Sequence, residues 1–470
     1  MVFSSTTFLF LYLPILLFLY FICKNKTYKN IILCLFSLGF YAWGEPVYVF
    51  LMLLSITSAY FHSKYISKNL KNGNIKIAKI LLISSIIISM LALLYFKYSN
   101  FIITNFNWVF HLNIPLLNLV LPIGISFYTF QIISYLVDVY KGKVDFQSNF
   151  ISLTMYVSLF PQLIAGPIVR YQTIEKEINN RKVTLTLFVE GFKRFIIGLA
   201  KKVIIANQMA LLADAVFGKY NPEIGTILLW IGAIAYTFQI YFDFSGYSDM
   251  AIGLGKMFGF TFLENFNYPY ISKSISEFWH RWHISLSTFF RDYLYIPLGG
   301  NRVSKIKWFF NIFIVWFLTG MWHGASWNFI LWGLYFGFIL VIEKLFLLNI
   351  INKLPKILRW LYAMILIIVG WVLFRVTNVE IAFEYIAKMF IYYPTNFKVF
   401  CANNMASIYS TLFIILAIIG SGPAISKILN KVNKNRIENA IINIFYIVVF
   451  LLSIVFLISS TYNPFIYFRF

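Results

Sequence analysis

The sequence predicts an all-α, polytopic membrane protein, and three observations support this. The 470 residues are 60% hydrophobic and only 12% charged, a composition that soluble globular domains do not have. Apolar stretches long enough to cross a bilayer recur along the chain. Basic residues gather in short clusters between these stretches, which is the positive-inside pattern. We therefore expect roughly eleven or twelve spans, with additional re-entrant and interfacial helices, in a single integral-membrane domain over residues 1–470.

The net charge of +22 would by itself be compatible with nucleic-acid binding, but the distribution of the basic residues favours anionic lipid head groups as partners and argues against nucleic acid. The basic residues are confined to short predicted loops, where they contact the membrane surface and form no separate basic domain. The three cysteines, Cys23, Cys34 and Cys401, form no CxxC pair, so they predict neither a disulfide nor a metal site.

The first apolar stretch, residues 2–23, is too long and unbroken for a signal peptide and predicts a retained helix. Lys24 and Lys26 follow it and no basic residue precedes it, which places the N-terminus outside and the first loop inside. Basic residues between the last two spans place the C-terminus outside as well. We therefore expect both termini on the outer side of the membrane.

The later spans follow from apolar stretches separated by lysine-rich loops or by glycine and proline. Gly44 and Pro46 divide one stretch into an out-and-back pair, while Pro161 and Gly166 predict a bent or re-entrant segment. The predicted spans are 31–61 (the pair), 81–96, 116–139, 151–168, 227–244, a hairpin around His323, 361–374, 407–419 and 440–459.

Residues 170–205 differ because basic and apolar side chains interleave there. Arg194, Lys201 and Lys202, for example, alternate with Phe195. This pattern predicts an amphipathic helix that lies on the cytoplasmic interface and does not cross the membrane.

Two carboxylates follow an apolar stretch in Phe242-Asp243-Phe244-Ser245-Gly246-Tyr247-Ser248-Asp249. Asp249 is explained by a helix end, where an aspartate caps the next segment. Asp243 stands inside an aromatic run, so it is either structural or part of a polar cavity. We include both, together with Trp322 and Asn328, as candidate cavity-lining residues.

His280 and His283 are three residues apart, a spacing that fits two metal ligands on one helical face. Because no third ligand follows at a suitable spacing and Arg281 lies between them, we predict no metal. One alternative is a cytoplasmic re-entrant segment in which Arg281, Arg291 and Arg302 bind the phosphates of a nucleotide-type donor. The other is that these arginines only anchor the segment to lipid head groups.

His323 places an imidazole inside a long apolar run, in Gly320-Met321-Trp322-His323-Gly324. Ionisable residues at membrane depth are costly and usually functional. Lys307 precedes the run and Lys344 follows it, which puts His323 roughly 24 Å from the cytoplasmic side, past the midplane of a ~30 Å core. His323 therefore predicts a general base, with His283 as the second polar partner. The alternative is a core histidine that only bonds a neighbouring helix.

These motifs resemble the membrane-bound O-acyltransferase family, in particular its bacterial branch of alginate and peptidoglycan O-acetyltransferase membrane subunits. The resemblance covers nearly the whole chain. Its most specific parts are the motif from Phe242 to Asp249, Trp282-His283-Ile284-Ser285-Leu286-Ser287 and the glycine-flanked motif around His323. Further matches are Met1-Val2-Phe3-Ser4-Ser5, Ala165-Gly166-Pro167-Ile168-Val169-Arg170 and Phe195-Ile196-Ile197-Gly198-Leu199-Ala200-Lys201-Lys202.

The resemblance implies a ring of tilted helices in which a cytoplasmic funnel meets an extracellular funnel at a thin waist. It implies His323 as the catalytic histidine and His283 as the second polar residue of the site. The implied activity is transfer of an acyl group, expected to be acetyl, from a cytoplasmic thioester to an acceptor at the outer face. Acetyl-CoA is the expected donor, and no bound cofactor is implied.

The end of the chain, residues 461–470, contains Tyr462-Asn463-Pro464-Phe465-Ile466-Tyr467. It resembles the C-terminal aromatic motif of the small membrane peptide that accompanies D-alanyl-transferring members of the family. By this resemblance Tyr467 is an acyl relay that is acylated with His323 as base. The alternative is an aromatic belt at the membrane interface, where Tyr and Phe are common.

The resulting expectation is an O-acetyltransferase that works with an extracytoplasmic SGNH-type partner on a cell-surface polysaccharide. One rival is D-alanyl transfer to teichoic acid, although members of that branch tend to be shorter and have the aromatic motif on a separate peptide. Another is a proton-coupled transporter or flippase that uses His323 and Asp243. Transporters usually have internal repeats, and we find none in this sequence.

Overall fold

The structure, a computed structural model, describes residues 1–218, 224–395, 409, 411–431, 436–459 and 462–464. Within these ranges the regular structure is helical and no residue lies in a β-strand, so the all-α prediction is confirmed. The residues form two compact units, Met1–Phe195 with Met250–Leu263, and Ile196–Asp249 with Glu264–Phe470. The single domain expected over residues 1–470 stays a prediction.

The N-terminal helices range in length from 4 to 36 residues. They are α1 (Leu13–Ile22, after a π-helical turn, Phe8–Tyr12), α2 (Lys26–Gly44), α3 (Tyr48–Lys71), α4 (Ile75–Phe110), α5 (Ile125–Tyr140), α6 (Phe150–Ser158), α7 (Phe160–Leu163) and α8 (Tyr171–Asn180). Arg181 directly follows α8, is buried and joins this helix to α1 and α2. Its Nε donates to Tyr20 Oη at 2.9 Å, and its Nη1 donates to Asn30 Oδ1 at 2.6 Å.

Two predicted interruptions in this region are confirmed. One predicted span begins later in the structure than expected. Helix α2 ends at Gly44, and Ser158 ends α6 just before Pro161. The span predicted over 116–139 becomes helical only at Ile125. Pro122 disfavours helix in the residue before it, and Gly124 has a φ of +78°, a left-handed conformation that glycine adopts readily.

The remaining helices follow in the second part of the chain, and the longest of them, Thr226–Met257, has 32 residues. They are α9 (Leu185–Ala200), a π-helical turn (Lys201–Ala206), α10 (Asn207–Phe217), α11 (Thr226–Met257), α12 (Ile275–Arg281), α13 (Ile284–Phe290), α14 (Lys305–His323), α15 (Trp327–Ile342), α16 (Leu348–Ile351), α17 (Lys356–Arg375), α18 (Val379–Phe390), α19 (Leu412–Gly420), α20 (Ala424–Lys431) and α21 (Arg436–Ser459). One buried cluster packs α11, α17 and α18 together, with Tyr385 donating from its hydroxyl to the carbonyl of Leu229 at 2.8 Å.

The single interfacial helix predicted over 170–205 is corrected in its extent. Its first part is the separate helix α8, whereas Leu185–Phe217 forms one helical stretch that is long and apolar enough to cross a membrane. In the sequence Lys201 and Lys202 resemble solvated charges. In the structure each of them pairs with a carboxylate, which offsets part of the cost of placing its charge inside the protein.

The span predicted over 227–244 is longer than expected, because α11 continues to Met257. Asp249 therefore lies inside a helix and does not cap the next segment. Its carboxylate accepts from Lys201 Nζ at 2.7 Å, so a tertiary ion pair satisfies it.

Six helices in the described part of the chain are long and apolar enough to cross a membrane. They are Ile75–Phe110, Leu185–Phe217, Thr226–Met257, Trp327–Ile351, Lys356–Arg375 and Asn439–Ser459. The molecule is therefore a multi-pass membrane protein. The higher count of roughly eleven or twelve spans stays a prediction.

Candidate active site

The site is built around a tight hairpin of α14 and α15. A Cβ atom on Gly320 would overlap the carbonyl oxygen of Phe329, and one on Gly333 would overlap that of Trp316. Glycine at these positions therefore lets the two backbones approach closely, as small residues do in membrane helix pairs. The predicted hairpin is confirmed, and it places His323 as the last residue of α14.

His323 is buried in a box of aromatic rings. Its ring centroid lies 4.9 Å from Trp322, 4.9 Å from Trp332 and 5.2 Å from Phe374, each close to edge-to-face. The side chain is only 5% exposed. These rings hold the imidazole in one orientation and exclude bulk water, which suits a group that must accept a proton from a bound nucleophile.

His283 lies in the turn between α12 and α13 and is almost fully buried. Its φ of +43° is in the left-handed region, which costs a non-glycine residue about 1–3 kcal/mol. Asn265 supports this conformation from the preceding loop. The N–H of Ile284 donates to the Asn265 carbonyl at 3.0 Å, and the N–H of Ser285 donates to Asn265 Oδ1 at 3.1 Å.

The Asn265 side chain also determines which nitrogen of His283 bears the proton. Since a backbone N–H donates to Oδ1, that atom must be the amide oxygen, and it can only accept. His283 Nδ1, 3.2 Å from this oxygen, is therefore the protonated nitrogen of the neutral ring. Nε2 has the free lone pair; it is buried and has no hydrogen-bond partner among the residues that the structure describes.

Burial lowers the pKa of His283 to about 3, and the residue lies outside the membrane-spanning helices. The imidazole is thus neutral throughout the physiological pH range. A neutral ring with a protonated Nδ1 offers Nε2 as a hydrogen-bond acceptor for a donor group in the site.

The structure brings the two predicted histidines to the same aromatic residue. The Trp322 ring lies 4.9 Å from the His323 ring and 5.9 Å from the His283 ring. Phe244, from the motif on α11, contacts His283 at 4.6 Å. Three motifs that are distant in sequence thus meet around these rings.

Glu343 was not anticipated from the sequence, yet it positions the segment that leads to His283. Its buried carboxylate accepts the N–H groups of Ile275 at 2.7 Å and Ser276 at 2.8 Å, at the start of α12, and the Tyr362 hydroxyl at 3.2 Å. The available signal was an acidic residue at the end of an apolar run, which resembles an ordinary loop charge.

Replacing Glu343 by alanine is expected to destabilise the protein by about 2–5 kcal/mol, because two N–H groups at a helix start lose their acceptor. Glu343→Gln keeps one acceptor oxygen and should have about half of this effect. Thermal unfolding in detergent measures the difference. Tyr362→Phe is the matched control, since it removes only the third donor to Glu343. Equal melting temperatures for the alanine variant and wild type would contradict this role.

The candidate cavity-lining carboxylates are both paired. Asp243 Oδ1 lies 2.7 Å from Lys202 Nζ, and both side chains are buried. Asp249 pairs with Lys201. Asn328 donates to the carbonyls of Leu373 and Phe374 at 3.4 Å and so joins the start of α15 to the end of α17.

Two of the three arginines proposed for phosphate binding have acidic neighbours. Arg281 Nε donates to Glu277 Oε1 at 3.0 Å, and Arg291 Nε donates to Asp292 Oδ1 at 2.7 Å. Arg302 is exposed. The hydrogen bonds described for Arg281 and Arg291 lead to other partners than the histidines, and the role of the three arginines in donor binding stays a prediction.

His280 and His283 do not share a helical face. His280 is exposed and its Nδ1 lies 2.6 Å from the carbonyl of Ser276, whereas His283 is buried. In the described ranges no group of three or more His, Cys, Asp or Glu side chains has a metal-binding arrangement. Tyr467 lies outside the described residues.

Comparison with known proteins identifies the family. The pattern of the membrane-bound O-acyltransferase family, MBOAT, matches residues 143–386, which is more than half of the chain and includes both histidines. The probable alginate O-acetylase AlgI of Pseudomonas aeruginosa is 44% identical over 394 residues, covering 83% of this chain and 75% of the relative.

Two further relatives are less similar to this chain. The peptidoglycan O-acetyltransferase of Helicobacter pylori is 38% identical over 429 residues, covering 83% of this chain and 80% of the relative. The teichoic acid D-alanyltransferase of Bacillus subtilis is 31% identical over 257 residues, covering 52% and 63%. The chain therefore belongs to the membrane-bound O-acyltransferase family, and it is an acyltransferase.

Proposed function

We propose that the protein transfers acetyl groups from a cytoplasmic thioester for O-acetylation of a cell-surface polysaccharide. The observation that favours this substrate class is the extent of similarity. Relatives named for O-acetylation of alginate and peptidoglycan cover 83% of the chain, whereas the D-alanyltransferase covers 52%. The acceptor is thus a polysaccharide, and D-alanyl transfer is the less favoured alternative.

His323 is the general base in this proposal. Its aromatic surroundings exclude water, so that a proton taken from a hydroxyl nucleophile stays within the site. His283 Nε2 accepts a hydrogen bond from the same nucleophile or from a bound water and thereby orients it. The contacts of Trp322 with both rings support a shared site.

The nucleophile in the first step is the Tyr467 hydroxyl. His323 takes the phenolic proton while the oxygen attacks the thioester carbonyl, and the same proton is returned to the departing thiolate. The products are an acetyl-tyrosine ester and the free thiol of the donor. A hydroxyl of the next acceptor then attacks the ester and restores the tyrosine.

Acetyl-CoA is the proposed donor, and its phosphates would bind at the cytoplasmic side. Of the three proposed arginines, Arg302 is exposed without an acidic neighbour within the described ranges, whereas Arg281 and Arg291 already pair with carboxylates. Among them Arg302 is therefore the strongest candidate for a phosphate contact.

The second acceptor is an extracytoplasmic SGNH-type transferase that finishes acetylation of the polysaccharide. In this arrangement the protein lies in the bacterial inner membrane with both termini outside. Membrane lipid surrounds its exposed apolar helices, of which α4 is an example.

Tyr467→Phe is expected to abolish covalent labelling of the purified protein by radiolabelled acetyl-CoA, because it removes the attacking oxygen and keeps the ring. Tyr392→Phe is the matched control, since Tyr392 is 76% exposed, and it should label like wild type. Label retained by wild type and lost in Tyr467→Phe supports the acetyl donor and the relay together. Label that survives Tyr467→Phe refutes the relay, and an unlabelled wild type refutes acetyl-CoA as donor.

A further inference from the structure

The C-terminal residues Tyr462, Asn463 and Pro464 each contact the helical stretch 201–217. The Tyr462 hydroxyl donates to Asp214 Oδ2, and Lys202 Nζ donates to the carbonyl oxygen of Pro464. Between them, Asn207 Nδ2 donates to Asn463 Oδ1 at 3.3 Å. The three residues therefore run antiparallel to the helix, one contact per residue.

The three residues on the helix lie on the same face because of the local helical geometry. The N–H of Asn207 bonds the carbonyl of Lys202, five residues earlier, in the π-helical turn. This wider turn places the two side chains one above the other. Asp214 follows seven residues later, which is close to two α-helical turns. The π-helical turn thus places Lys202 and Asn207 in one polar row with Asp214.

Both ends of this row are fixed by ion pairs to other helices. Lys202 pairs with Asp243 on α11 at 2.7 Å, and both side chains are buried. Asp214 pairs with Arg375, at the end of α17, at 2.6 Å. The groups that meet the C-terminal segment are thus held in place before it binds, which lowers the entropy lost on docking.

We infer that Lys202, Asn207 and Asp214 form a latch that positions the C-terminal segment of this chain. The latch assigns a purpose to the buried Lys202–Asp243 pair. A lysine inside a protein is costly even when paired, and here its ammonium also supplies a charge-assisted hydrogen bond to the Pro464 carbonyl. Asn207 and Asp214 form two further hydrogen bonds, with the side chains of Asn463 and Tyr462 respectively.

The latch limits where the following residues can reach. Tyr467 follows Pro464 by three positions, so the Tyr467 Cα can be no farther than about 11 Å from the Pro464 Cα. This consequence rests on the proposed function of Tyr467 as a relay, whereas the latch itself does not. The latch residues are therefore positioning residues, and the acyl-transfer step depends on them through the segment.

The test uses the full-length double variant Tyr462→Phe/Asn463→Ala, which removes two latch contacts and leaves both ion pairs intact. Hydrogen–deuterium exchange of the peptide containing residues 462–464 should become about tenfold faster, as expected for two lost hydrogen bonds. Exchange in α11 should not change. The helix-side variant Asn207→Ala provides a second route to the same result, and Tyr392→Phe is the control.

A positioning role also predicts that kcat changes while KM does not. The double variant should lower kcat for acetyl transfer by about fivefold or more while KM for acetyl-CoA and the melting temperature stay near wild type. Unchanged exchange in both variants overturns the latch, and faster exchange with unchanged kcat overturns its positioning role. A fully labelled Tyr467→Phe variant would refute the relay and leave the exchange result to decide the latch.

Discussion

Replacing His323 by alanine is expected to lower the rate of acetyl transfer by about 10²–10⁴-fold, the range usual for loss of a general base. The imidazole is buried among the rings of Trp322, Trp332 and Phe374, which shield it from bulk water. Water admitted to the space left by the ring would be a much weaker base. Initial rates of transfer from radiolabelled acetyl-CoA, at matched protein amounts, measure this loss.

His280→Ala is the matched control for this experiment. His280 is exposed, and its Nδ1 contacts the carbonyl of Ser276 in its own helix, so its loss should leave the rate near wild type. His323→Gln provides a nearly isosteric second variant that keeps the box filled. Rates close to wild type in both His323 variants would show that His323 is only a core residue.

Replacing Asn265 by aspartate is expected to shift the acid limb of the pH–rate profile to higher pH by about 1–3 units. In the wild-type protein burial lowers the pKa of His283 to about 3, so the ring is neutral at any working pH. A carboxylate beside Nδ1 favours the charged imidazolium and raises this pKa. Because protonation removes the lone pair on Nε2, activity should be lost as the pH falls through the raised pKa and recovered above it.

Ser285→Ala separates this charge effect from a simple loss of a hydrogen bond. The Ser285 hydroxyl also donates to Asn265 Oδ1, at 2.9 Å, and its removal introduces no charge. Its pH–rate profile should keep the wild-type limb. Superimposable profiles for Asn265→Asp and wild type would exclude a requirement for neutral His283.

The positions of His323 and His283 could be predicted because their signals are local. A histidine inside an apolar run is recognisable from its immediate neighbours, and glycines on both sides mark a break in the helix. The same reasoning correctly gave the hairpin of α14 and α15. The supporting roles of Asn265 and Glu343 could not be predicted in this way, because these side chains accept from backbone N–H groups that lie 20 and 68 residues away in the sequence.

The surroundings of Lys201 and Lys202, in contrast, could not be predicted from their neighbours in the sequence. Lys201 and Lys202 predict a helix on the membrane surface when they are read alone. Each is paired with an aspartate more than 40 residues later, which lets the helix be buried. Hydropathy treats every lysine as solvated, so a partner supplied by another helix is invisible to it.

Hydropathy, charge clusters and short motifs are properties of neighbouring residues, so they sufficed to predict the helical membrane class and to single out His323 and His283 as candidates. The partners of the polar groups became visible only in the folded chain: the tautomer of His283, the support of α12 by Glu343, and the contacts of Lys202 and Asp214 with the C-terminal residues. A hydrogen bond or ion pair depends on distances in space. Helices far apart in the chain establish those distances when they pack.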